Sequence, residues 1–262
     1  MIRNNRRISV VSTMHYCKLY FRSALFLAVL CVYLYNRVRH TGRLFGDIAQ
    51  NPIILSIVWT VFAAEMILRM FPFRTESMGC QKQFRRNYIP KKDAPKPNLG
   101  SKKPVLAAAG AWIALNACIG GLYFTGVIDQ GILLLICLAY SVCDMICILY
   151  FCPFQTWFLK NKCCTTCRIY NWDYVMMFTP LIFIPRVDMW SLLALAMILL
   201  VYWELQVWRH PERFLESCND ALACKNCQEK LCQHKRQLQS FQKKLFAECK
   251  AAEAQTQVCH KS

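Results

Sequence analysis

Long apolar runs alternate with charged segments along this chain. The runs are Leu19 to Tyr35, Pro52 to Met70, Val105 to Phe124, Ile132 to Phe151, Tyr174 to Ile184 and Met189 to Trp208. A helix of about 20 apolar residues covers the hydrocarbon core of a bilayer, so five of the six runs are long enough or nearly so. The pattern predicts an all-α, polytopic integral membrane helical bundle of about six transmembrane helices. The fifth run is short, and segments of that length are often re-entrant. Extending it back to Ile169 would place Asn171 and Asp173 in hydrocarbon, at a cost.

The polar stretches divide the chain further. Residues 1–18 are a basic N-terminus and 19–70 the first two spans. Although the start resembles a signal peptide, no small-residue cleavage site follows it, so a retained span is expected. Residues 71–104 are a Pro/Lys-rich linker without apolar periodicity, to which no secondary structure is assigned. Residues 105–151 are a transmembrane hairpin, with Gly110/Ala114 and Ala117/Gly121 as small-residue pairs suited to close helix contact. Residues 152–173 are a cysteine-rich loop, 174–208 a second hairpin, and 209–262 a soluble helical tail. In that tail Cys224, Cys227, Leu231, His234, Leu238, Phe241 and Leu245 recur at intervals of three and four. That seam makes 224–245 a candidate coiled-coil or protein contact.

Charge orients the bundle. With six spans and both termini cytoplasmic, the segments on that side carry +17 of the +18 found outside the spans. Lys and Arg are retained on the cytoplasmic side, so this orientation is preferred. It brings loop 152–173 and the tail to one face, provided the fifth run crosses. The 82–103 stretch is a candidate contact for anionic lipid head groups beside the bilayer itself. It holds few aromatic residues for base stacking, which argues against nucleic acid as a partner.

Seventeen cysteines add candidate chemistry. On a cytoplasmic face thiols stay reduced, which favours metal binding or redox work over structural disulfides. The pairs Cys164/Cys167 and Cys224/Cys227 both have CxxC spacing, and four thiolates at about 2.3 Å form a closed zinc site. Cys152, Cys163, Cys218, Cys232 and His234 are spare ligands. An Fe–S cluster is the alternative cofactor, although the ferredoxin cysteine run is absent. Cys143 and Cys147 share a helix face beside Asp144, as packing residues or as part of a metal path.

Glu65, Asp144 and Glu204 fall in the later parts of even-numbered spans, with Arg22 at a similar level. They suggest a buried polar layer above the loop, with Arg69 four residues after Glu65 as a helical partner. No P-loop, GxGxxG, GxSxG or HExxH motif occurs, so common nucleotide and hydrolase chemistries lack their signatures. The leading expectation is a non-enzymatic membrane protein in which a thiolate metal site joins loop and tail, as scaffold or metal/redox sensor. The alternatives are a membrane redox protein with an Fe–S or dithiol centre, and a small-solute or metal transporter using the intramembrane acids.

Overall fold

A computed structural model of the chain describes residues 10–39, 52–72, 77–82, 84–161 and 163–227. Among these the regular structure is helical, with one isolated bridge between Pro90 and Asn219. The long helices are α1 (Val10–Arg39), α2 (Pro52–Leu68), α3 (Lys103–Phe124) and α4 (Gln130–Leu149). A short α5 (Asp173–Phe178) and a long α6 (Val187–Arg209) complete the set. Among the described residues four helices are long and apolar enough to cross a membrane: Val10–Tyr35 within α1, then α3, α4 and α6. In α2 the apolar helix Trp59–Leu68 is shorter. α1 begins well before Leu19 and so takes in part of the basic N-terminus.

Successive segments run in alternating directions, as their end contacts show. Tyr16 near the start of α1 meets Tyr150 just past the end of α4, while Tyr33 donates a hydrogen bond to Asp129 before the start of α4. Asp129 also caps α4 by accepting from Ile132 N at 2.9 Å. Trp59 in α2 donates to Ser191 near the start of α6. At the start of α3, Val105 and Ala108 pack beside Cys167 and Ile169, and Phe124 at its end meets Phe183 edge-on.

The chain from Ile169 to Phe183 runs beside α3 without being one helix. α5 gives way to a 3-10 stretch, Thr179–Phe183, because Pro180 has no N–H to continue the α-helical bonding. Ile169 lies at the level of Ala108, and Phe183 presses on Gly120. Those two positions on α3 are about 18 Å apart at helical rise. Tyr174, Met177, Phe178, Leu181 and Ile184 are all buried in the main core with Met66, Leu133, Leu192, Leu199 and Trp203. Irregular backbone at membrane depth is tolerated only where protein surrounds it; these five side chains are enclosed, while Ile182 is exposed.

Close helix contact is made by a different face of α3 from the one its small-residue pairs suggest. Gly110 and Gly121 have open space where a Cβ would sit, whereas Ala108, Asn116 and Gly120 are buried. The linker and the start of the tail also differ from expectation. Residues 77–95 form a helical turn at Met78–Gln81 and a 3-10 turn at Arg85–Asn87, and then pair with the segment after α6. Asp220 N donates to Ile89 O at 2.8 Å and Lys91 N to Cys218 O at 3.1 Å. Asn219, 0% exposed, accepts from Ile89 N and donates to Arg213 O. Residues 211–227 are 3-10 turns rather than a long helix, and the seam beyond Cys227 lies outside the described residues.

Candidate functional site

Six charged side chains meet where α1, α2, α4 and α5 converge. Arg22, 2% exposed, donates to Asp144 Oδ2 at 3.0 Å, Ser141 O at 3.1 Å and Glu65 Oε2 at 2.9 Å. Glu65 accepts in addition from Tyr174 OH at 2.9 Å, and Lys18 Nζ stands 3.6 Å from its other oxygen. Arg69 bonds Asp173 and lies over the Tyr174 ring at 4.6 Å. Three cations and three anions make the network neutral, which is what lets such groups stay buried. Arg69 therefore serves Asp173 rather than Glu65: the tertiary partner is already fixed in the core, whereas an in-helix pair is worth only a few tenths of a kcal/mol. Glu204 stands apart, held by Arg168 and by Trp172 Nε1 at 2.8 Å.

Asp144 and Asp173 also line a cavity of about 130 Å³ that reaches from this network to the cysteine loop. Five cysteines border it: Cys143 and Cys147 from α4, and Cys152, Cys164 and Cys167 from the loop. Met176 and Met177 add thioethers, and Trp112, Tyr140 and Phe154 form an aromatic side. Cys147 near the end of α4 and Cys152 just beyond it stand five residues apart on the cavity wall. Gln155 then joins the loop thiols, accepting from Cys164 Sγ at 3.1 Å while its backbone N donates to Cys152 Sγ at 3.4 Å. Cys163 turns to Thr165 Oγ1 instead, at 3.1 Å. Burial pushes the Cys167 thiol up to about 11, so it stays protonated at neutral pH.

Lys82 holds the loop from beneath. Its buried ammonium donates to Thr165 O at 2.7 Å and Cys167 O at 3.3 Å and faces the Phe214 ring at 5.5 Å. Burial lowers its pKa to about 8, against the opposing pull of Cys167 and Cys80. Lys82 is thus turned away from any lipid head group, while Arg85, Arg86, Lys92, Lys96, Lys102 and Lys103 remain exposed.

The cysteines singled out by spacing are distributed as follows. Cys164 and Cys167 flank one 3-10 turn and Cys224 and Cys227 another, each closed by the second cysteine's N–H on the first one's carbonyl. Among the described residues no three His, Cys, Asp or Glu side chains form a group able to hold a metal ion. Cys218 is buried against Pro95 O, and Cys232 and His234 lie outside the described residues. The fold brings the loop cysteines together with Cys143 and Cys147 around the cavity. Gln155, Lys82, Asp173 and Tyr174 had no motif to mark them.

Fold and site define an all-helical protein with four membrane-capable helices and a cysteine-lined cavity at the end of the bundle. Compared with protein-family models, curated proteins and solved structures, the chain matches none.

Proposed function

We propose that this is a multi-pass membrane protein whose cavity houses a working dithiol, Cys147 and Cys152. The observation that carries the reading is that both line one cavity, which is bordered by three further thiols. Two thiols on the wall of one cavity, five residues apart in the chain, are placed to form a disulfide. In exchange with a partner disulfide, one thiolate attacks and releases a partner thiol. The second thiol then resolves the mixed disulfide and releases the other. The two cavity thiols are oxidised, the partner disulfide is reduced to two thiols, and both protons end on the products. The N-terminal end of α1, the 77–103 linker, loop 152–172 and residues 211–227 cluster at one end of the bundle. With their excess of Lys and Arg, that end is assigned to the cytoplasm, and both termini with it.

The test is a redox titration in glutathione buffers, followed by alkylation. A single two-electron transition that disappears in both Cys147→Ser and Cys152→Ser supports the dithiol. Unchanged titration in both variants refutes it.

A metal reading has its own support in the matching CxxC turns at Cys164/Cys167 and Cys224/Cys227. Elemental analysis of anaerobically purified protein decides it. One zinc lost in Cys164→Ser and Cys227→Ser favours a thiolate staple, and iron with sulfide favours a cluster. Metal-free protein from every preparation rules out both.

A further inference from the structure

The cavity has a mouth on the side where lipid would lie. Cys143 borders it and is also exposed on the outer surface of α4, a helix able to cross a membrane. Cys143 lies six residues before the last residue of α4, about 9 Å from the helix end at helical rise. A molecule that enters past Cys143 therefore comes from the hydrocarbon of the bilayer rather than from its head-group layer.

Shape and wall narrow the class. Tyr140 and Ile148 both line the cavity, and eight residues of α4 set them about 12 Å apart at helical rise. A volume of about 130 Å³ drawn out over that length is a slot, not a round chamber. Trp112 meets Tyr140 at 54° and Phe154 at 65°, which gives a ribbed wall with no flat face for a ring to stack on. Met176 and Met177 add unbranched thioethers, which adjust to an irregular, flexible guest. The polar groups that reach the wall are already engaged: Asp144 by Arg22, Asp173 by Arg69, and Gln155 by Asn161 O and Cys164. Little is left to bind water, and apolar cavities of this scale stay dry and take apolar guests. A lipid tail is in hydrocarbon already, so entry removes no surface from water. What it gains is dispersion contact with a wall that otherwise faces a void.

We infer that the slot seats one acyl chain of a bilayer phospholipid, which enters past Cys143 and reaches Met177. The chain is held by packing alone and forms no bond to a thiol. Seating it asks nothing of the Cys147 and Cys152 thiols beyond their place in the wall, so it stands apart from the dithiol reading.

The test places full-length protein in nanodiscs containing a phosphatidylcholine with a diazirine midway along one acyl chain. After illumination the protein is digested, and the labelled residues are read by mass spectrometry. Met177 lines the cavity and is 2% exposed, whereas Leu27 on α1 is 55% exposed and reports ordinary lipid contact. The expected result is label on both. Cys143→Trp fills the mouth and should abolish label at Met177 while Leu27 stays labelled. Cys147→Ser and Cys143→Ala should leave both sites labelled. Label at Leu27 without Met177 in the wild type overturns the inference, and so does undiminished Met177 label in Cys143→Trp. An acyl mass on the intact protein that hydroxylamine removes and Cys143→Ala lacks also overturns it, since the chain is then a thioester of Cys143. A failed redox titration with Met177 labelled removes the dithiol alone.

Discussion

Replacing Arg22 by methionine removes a side chain that bonds both Glu65 and Asp144. Its guanidinium makes three hydrogen bonds of 2.9 to 3.1 Å, two of them to carboxylates on different helices, and is 2% exposed. Deleting one partner of a buried pair costs about 3–5 kcal/mol, because the charge left behind has lost its compensation. Lys18 at 3.6 Å from Glu65 and the Tyr174 hydroxyl recover part of that for Glu65. A loss of about 3 kcal/mol is therefore expected, or about 10 °C in thermal midpoint for a chain of this size. Thermal unfolding in a mild detergent, followed by tryptophan fluorescence, reads this directly. The double variant Arg22→Met, Asp144→Asn removes the stranded charge and should regain more than half of the loss. A midpoint for Arg22→Met within about 1 °C of wild type would refute the reasoning, since a shift that small corresponds to well under 1 kcal/mol.

Other expectations follow from single contacts. Gly120→Val should destabilise by about 1–3 kcal/mol, because a Cβ there would stand 2.4 Å from the Phe183 ring, while Gly121→Ala meets nothing within 4 Å and should be neutral. Lys82 gives a pH signature: with its native pKa near 8 and its ordinary value 10.5, the unfolded chain holds more protons between them, so stability rises with pH across that window by up to about 3 kcal/mol. Cys167, raised from 9.0 to about 11, keeps its proton only when folded and makes stability fall between those values. Denaturant titrations of Lys82→Met from pH 7.5 to 10.5 should lack the rising contribution and keep the fall. Glu204→Gln should cost under about 1 kcal/mol in the same assay, since its bond to Arg168 is partly exposed and screened.

The long apolar runs were legible because burial and hydropathy act on every residue of a helix. That is why α1, α3, α4 and α6 fall where the runs lie. The shortness of Tyr174 to Ile184 was legible too, but its resolution depends on Pro180 and on neighbours that enclose irregular backbone. Arg22, Glu65 and Asp144 share a level that helical register alone implies. Their pairing is a matter of tertiary geometry, and so is the capture of Arg69 by Asp173. On α3 the outward Gly110 and Gly121 and the inward Gly120 look alike in sequence, because only the position of Phe183 separates them. The bonding of 89–91 to 218–220 runs through backbone groups and Asn219, which leaves no periodic trace. Cys143, Cys147, Cys152, Cys164 and Cys167 stand close together in the chain, and the turn after α4 folds them around one cavity. CxxC spacing directs attention instead to Cys224 and Cys227.

Cysteine mapping tests the central claim most directly. Full-length protein in nanodiscs is poised with oxidised glutathione, quenched in acid, alkylated and digested for mass spectrometry. The account requires a peptide pair joined through Cys147 and Cys152, reversible with dithiothreitol, with Cys167 recovered as a free thiol. Recovery of Cys147 and Cys152 as separately alkylated thiols at every oxidant ratio, or their bonding to other cysteines instead, contradicts it.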